Sequence, residues 1–285
     1  MTSKSFDLAT ILKALSTLRA FLEQEWTADN EQQRMYLNYL SAFGPKLETF
    51  SDIKGFASFE TSQINHFLTQ NGQPGDFPEL GIGDIGATSI FDLLMNWQVV
   101  GEKTTIYAHD GNEYPAFSLP ADQVRIFNNV LTQGEVLRIQ TVLPGSSLFI
   151  CTSDKLRFDT LSGLNLVKIA MSIMDSPMSE YSNPYKFVNL PMIDYGDHYA
   201  VSDLHGMRIG VGSISNAEQR MLFRMNEKGA RMMARTDINV SFCLEDIPPS
   251  YTVTTPFLAF VGRSAGVPFG TVYCDYDVWK EPAEL

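Results

Sequence analysis

Ser202, Asp203 and His205 place a hydroxyl, a carboxylate and an imidazole in one short segment. Those are the groups of an acyl-transfer triad, in which the imidazole must reach the hydroxyl and be oriented by the carboxylate. The surrounding sequence is β-rich, and strand positions alternate between faces, so Ser202 and His205 would not be aimed together. Gly81-Ile82-Gly83-Asp84-Ile85-Gly86 spells G-x-G-x-x-G. A dinucleotide site needs that motif between a strand and the start of a helix. Here Pro74-Gly75-Asp76-Phe77-Pro78 precedes it and a strand-like run follows, which makes it a loop. His66, His109, His198 and His205 share no short metal-ligand spacing. No H-E-x-x-H, G-x-S-x-G or P-loop motif occurs. The residues predict a protein that is not an enzyme and uses neither metal nor cofactor.

Composition narrows the partners. The chain has 285 residues, 44% of them hydrophobic, and a formal charge of -12. A surplus of that sign repels phosphate backbones and anionic lipid, so nucleic acid and membranes are not expected partners. No apolar stretch reaches the length of a membrane span, and no apolar leader precedes a small-residue cleavage site. Cys151, Cys243 and Cys274 are an odd set without paired spacing, which argues against a disulfide framework and a zinc site. The expected location is cytoplasmic. Secretion stays open if a signal has been removed, and Asn239-Val240-Ser241 would then be a glycosylation acceptor.

The elements that carry these residues can be read from periodicity. Leu8, Ile11, Leu12, Leu15, Leu18, Phe21 and Leu22 recur at helical spacing, so 6–26 is expected to be an amphipathic helix capped by Asp7. Residues 31–41 fit a helix or a strand, and Gly44-Pro45 reads as a break. Thr61 is expected to cap a short helix that ends near Asn71-Gly72, followed by a Gly/Pro-rich connection over 73–86. Residues 90–100 form a nearly continuous apolar run, the pattern of one strand buried on both faces. Further strands are expected over 113–119, 124–130, 135–143, 147–152, 187–195, 220–226, 230–240, 256–262 and 267–274. Leu161, Leu164, Val167, Ala170 and Met171 predict a helix over 156–174. Helices early and strands late imply an α+β fold.

Residues 230–240 alternate most strictly. Ala230, Met232, Ala234, Thr236, Ile238 and Val240 fall on one side of an extended chain, and Arg231, Met233, Arg235, Asp237 and Asn239 on the other. Such alternation marks a strand with one buried and one wet face. It fits a permanent strand and equally a segment that enters a sheet on demand.

Several separated pieces of the chain resemble the serpin family, in the family's order. Gln63-Ile64-Asn65-His66-Phe67 with Thr69-Gln70-Asn71-Gly72 is similar to its helix F. Leu93-Leu94-Met95-Asn96, followed by Gly101, resembles the third strand of its main sheet. Val188-Asn189-Leu190-Pro191-Met192 resembles another strand of that sheet. The segment from Ile214-Ser215 to Phe223, Met225-Asn226-Glu227-Lys228-Gly229 and Pro256-Phe257-Leu258-Ala259-Phe260 resemble its fifth strand, its hinge and its closing strand. Phe269-Gly270-Thr271-Val272 parallels the family's F-M-G-R-V. The resemblance covers residues 60–275 of one serpin-like domain spanning 1–285, with 1–59 a reduced N-terminal helical region. It implies a large central sheet, a smaller β-barrel and N-terminal helices.

The resemblance also implies a mechanism. Serpins inhibit proteases when a cut reactive loop inserts by its hinge as a new central strand, gaining ladder hydrogen bonds and releasing stored strain. Residues 230–255 are the reactive-loop-like segment, and the hinge set is Glu227, Gly229, Ala230, Met232 and Ala234. Forward and backward counts give Cys243, Leu244, Glu245 and Asp246 as scissile candidates. Asn96 and Gln219 match the shutter positions, with Gln where the family has His. The hinge departs from the family's run of small residues at Arg231, Met232, Met233 and Arg235, and several N-terminal helices are missing or shortened. Two functions follow. In the first, a non-inhibitory serpin relative acts by protein binding or as a structural protein. In the alternative, a suicide substrate traps a serine or cysteine protease. The partner is a protein in both, and homo-oligomerisation is open.

Overall fold

The computed structural model describes residues 2–143, 145–153, 155–180, 184–232, 250–263, 266–283 and 285. They form four α-helices and twenty strands, numbered in chain order, in two compact units. The first unit holds Met1–Asp7, Leu93–His198 and Arg220–Leu285, and the second holds Leu8–Asp92 and Tyr199–Gln219. The mixture is the α+β class expected from the sequence.

The first unit is built on a seven-stranded antiparallel sheet. Its order is β1 (Lys4–Phe6), β20 (Phe269–Cys274), β19 (Phe257–Gly262), β10 (Ser147–Cys151), β9 (Gly134–Gln140), β8 (Val124–Asn129) and β11 (Met178–Glu180). Every residue of β19 and β20 is buried, so these strands read as apolar runs rather than alternating ones. α4 (Leu164–Asp175) packs against β1, β19 and β20 through a buried stripe that includes Leu164, Val167, Ala170 and Ile173. This helix is shorter than the expected 156–174. Gly163 holds a left-handed φ of 54°, which ends the helix on its N-terminal side, and Phe158–Thr160 is only a 3₁₀ turn.

A second sheet runs β18 (Ser250–Thr252), β12 (Phe187–Pro191), β7 (Glu113–Pro120) and β6 (Glu102–Tyr107). β18 is parallel to β12, and the other pairs are antiparallel. β6 had no signal in the sequence because it is an edge strand with only Ile106 buried. The third sheet runs β13 (Ile193–Ala200), β16 (Glu218–Asn226), β17 (Gly229–Met232) and β5 (Leu93–Asn96). The run 187–195, expected as one strand, therefore divides between two sheets. Val188-Asn189-Leu190-Pro191 lies in the sheet of β7 and not in the sheet of β16. The sequence hides this change because Leu190-Pro191-Met192-Ile193 stays buried and mostly apolar throughout.

In the second unit, β3 (Ile53–Ser58) pairs antiparallel with β4 (Gly86–Phe91). β15 (Gly212–Ser213), β14 (Arg208–Ile209) and β2 (Trp26–Thr27) form a small separate sheet. α1 (Leu8–Leu22) packs on β3, β4 and α2 (Glu31–Leu47), and α3 (Thr61–Gln70) covers the β3–β4 pair. Ile64, Leu68 and Ile90 form a core there, with Phe56, Phe67, Phe77 and Leu80 packed around it.

α2 settles the ambiguous 31–41 as helix. Asn30 caps it, its Oδ1 accepting from Gln33 N at 2.9 Å. The expected break at Gly44-Pro45 lies inside this helix. Pro45 lies in the last turn and gives up one ladder N–H there, while Glu48 N still donates to Gly44 O at 3.2 Å and keeps the turn closed. Thr61 is the first helical residue of α3 rather than its cap, and its Oγ1 accepts from Leu80 N at 3.0 Å. The apolar run 90–100 is not one strand. It divides at Asp92 into β4 and β5, and β5 alternates, with Leu93 and Met95 buried but Leu94 45% exposed.

Candidate functional site: the hinge strand and its turn

The segment expected as a hinge begins as a tight hairpin. Residues Phe223, Arg224, Met225 and Asn226 of β16 face Met232, Arg231, Ala230 and Gly229 of β17. Glu227 and Lys228 make the turn, and Asn226 Oδ1 accepts from Lys228 N at 2.9 Å, the local bond that suits Asn to such turns. On its other side β17 pairs antiparallel with all of β5, placing Gly229 opposite Asn96 and Met232 opposite Leu93. The first four residues after the turn therefore stand as a central strand with a ladder on both edges.

Residues 97–101 hold the turn from outside. Trp97 Nε1 donates to Asn226 O at 2.9 Å, Gly101 N to Glu227 O at 2.6 Å and Trp97 N to Lys228 O at 3.1 Å. Three successive turn carbonyls are thus satisfied by one short segment, which fixes a backbone that would otherwise be buried with open acceptors. Trp97 is 3% exposed, and its ring stacks on Phe117 with centroids 6.1 Å apart. Both glycines are required by space. A Cβ on Gly229 would lie 2.3 Å from Met95 O, and one on Gly101 would lie 2.6 Å from Ser118 O. Trp97 is absent from the residues that sequence reasoning selected. A bulky aromatic directly after a short apolar strand was the available signal.

The expected alternation holds where it is described. Ala230 is fully buried and Arg231 is half-buried on the opposite face. Arg231 lies directly across from Arg224, a like-charge pair that would be unfavourable alone. Each guanidinium has its own partner: Arg224 Nε donates to Asp194 Oδ1 at 2.8 Å, and Arg231 Nη1 to the main-chain oxygen of Leu285 at 3.3 Å. Glu227 is buried, and among the described residues its Oε2 has no hydrogen-bond partner. The Lys103 ammonium is held above its usual range, chiefly by its bond to Glu281, against an opposing desolvation, with the charge of Glu227 adding to it. Met232 takes its place in the β17 register. Ala234, Cys243, Leu244, Glu245 and Asp246 lie outside the described residues.

Asn96 and Gln219 belong to different units, and each has partners within its own. Asn96 O accepts from Val142 N at 3.0 Å. The buried Gln219 accepts from the Tyr199 hydroxyl through Oε1 and donates to Thr10 Oγ1 at 3.1 Å. Ser202, Asp203 and His205 sit on and beside the 3₁₀ turn Ser202–Leu204, not on a strand. Asp203 Oδ2 accepts from Gln32 Nε2 at 3.0 Å, and His205 O accepts from Gln33 Nε2 at 2.9 Å. The G-x-G-x-x-G stretch is a loop turn closed by Asp84 N donating to Gly81 O at 3.0 Å.

Two of the three cysteines are described. Cys151 and Cys274 are fully buried, and burial pushes both thiols far above their usual range. Only the thiolate reacts with disulfide reagents, so neither should be labelled in the folded protein at about pH 8. Both should become reactive on unfolding in denaturant. Thiol counting before and after denaturation checks this.

No family model and no curated protein matches the sequence. The solved structures do. Serpin48 from the insect Tenebrio molitor is 13% identical, with a TM-score of 0.53 over 96% of this chain and 92% of that one. Thyroxine-binding globulin in complex with thyroxine is 11% identical, with a TM-score of 0.59 over 98% and 94%. Mouse protein-Z dependent protease inhibitor is 12% identical, with a TM-score of 0.54 over 96% and 91%. Identities this low speak for the fold alone, and with the sheet pairings above they establish that this chain has the serpin fold.

Proposed function

We propose that this serpin-fold chain is not an enzyme and acts by binding a protein partner, without trapping proteases by loop insertion. The observation that carries this reading is β17. Gly229–Met232 pairs with β16 on one edge and with the whole of β5 on the other while the chain is intact. A trap draws its driving force from ladder bonds and burial that form only after the loop is cut. Here the first four hinge residues already have them. Arg231 at the third position of β17 also makes this segment bulkier than a run of small residues. The fold neighbours include both a protease inhibitor and a globulin holding thyroxine, so the fold itself favours neither class.

The inhibitor reading has one observation in its favour. Ala230 faces inward and Arg231 outward, so the segment enters the sheet without burying a charge on its inner face. Incubation with a panel of serine and cysteine proteases, followed by a denaturing gel, separates the two. The proposed function predicts loop cleavage without a covalent product. An adduct that survives boiling in detergent overturns it.

A further inference from the structure

The segment after β20 returns to the hinge strand. Val278 and Trp279 are buried, as is Pro282 farther along, so the segment is anchored by apolar side chains rather than trailing into solvent. Between these anchors, Glu281 accepts from Lys103 Nζ. Lys103 stands on β6, two residues beyond Gly101, whose N–H holds the hinge turn at Glu227 O. At the far end, the main-chain oxygen of Leu285 accepts from Arg231 Nη1 at 3.3 Å, and Arg231 is a residue of β17 itself. The same segment thus touches the hinge system at two separate points. One lies beside the turn, and the other is on the strand.

We propose that residues 278–283, together with Leu285, form a strap that keeps β17 in the sheet. The apolar anchors fix its path. The Lys103–Glu281 pair and the Arg231–Leu285 bond are the two fasteners. The ion pair is half-exposed, 38% for Lys103 and 46% for Glu281, so it is sensitive to salt and weak alone. The Arg231 bond also gives a place to a guanidinium that faces Arg224 across the ladder. Opening of β17 must then break the Arg231–Leu285 bond, and the Lys103–Glu281 pair holds the segment that carries Leu285 in place, so opening is rarer than four residues of ladder alone would allow. A partner that displaces the strap, or high salt, would release the hinge strand without cutting the loop. The strap concerns the hold on β17, and only its consequence rests on reading β17 as a loop hinge.

Amide hydrogen exchange on the full chain tests it, using Glu281→Gln and Arg231→Met, neither of which removes a buried apolar side chain. Each is expected to speed exchange of the Ala230 to Met232 amides by about 3- to 10-fold, the range for a weak ion pair or one hydrogen bond, with β19 unchanged. Raising the salt should speed the same amides in the natural sequence and have little effect in Glu281→Gln. Unchanged rates at β17 overturn the strap. So does acceleration by only one variant, or equal acceleration at β17 and β19. Exchange rates report nothing about adducts with proteases, so failure here leaves the functional test standing, and the reverse also holds.

Discussion

Gly229→Val is expected to lower stability by about 3 kcal/mol and to separate β17 from β5, because overpacking against backbone sits at the top of the usual range. The added Cβ would approach Met95 O at 2.3 Å and Asn96 Cα at 3.0 Å, and these are backbone atoms that no rotamer change can move aside. Branching at Cβ adds further atoms to the same gap. Denaturant unfolding measures the loss as a shift in midpoint. Hydrogen exchange should show protection lost first at Ala230 and Arg231. Gly212→Ala is the control: its added Cβ meets nothing nearer than Ile209 O at 3.6 Å, an ordinary contact. If Gly229→Val behaves like that control, β17 is not seated between β16 and β5.

Trp97→Ala is expected to cost about 3–5 kcal/mol, the range for emptying a large buried aromatic site. It removes the ring stacked on Phe117 and the N–H that holds Asn226 O. Trp97→Phe separates the two effects. It keeps most of the apolar volume but leaves the Asn226 carbonyl without that donor, a cost of about 1–3 kcal/mol. Both variants should unfold at lower denaturant than the natural chain, with Trp97→Ala far the lower. Their exchange should rise most at the turn Asn226–Gly229. Equal stability of the two variants would mean that packing contributes nothing beyond the indole bond.

The helices and the paired C-terminal strands were legible because their apolar spacing is strong and local. α1 and α3 follow from periodicity, and β19 and β20 from continuous apolar runs, with errors of only a few residues at their ends. What sequence concealed was where an apolar run changes partner. β4 and β5 are continuous in hydrophobicity through Asp92, and β12 and β13 are continuous through Met192, yet each pair divides between two sheets. Burial looks the same on either side of such a joint, so composition has no term for it. β6 and the strands of the small β15–β14–β2 sheet are short or exposed and carry almost no pattern. At the candidate site, the turn at Glu227 and the strand starting at Gly229 were legible through resemblance to the serpin hinge. The grip of Trp97 and the return of residues 278–283 and Leu285 were not, because both are long-range contacts made partly by backbone atoms that sequence does not distinguish.

On the proposed reading, the expected hinge strand is seated before any cut is made, and a cut after it drives no further insertion. The melting temperature measured before and after limited proteolysis within residues 233–249 tests this most directly. If β17 already holds its place, cleavage should move the melting point by no more than about 3 °C, the equivalent of about 1 kcal/mol for a chain of this size. A rise of tens of degrees on cleavage would mean that a long segment of loop enters the sheet only once freed, and would contradict the account.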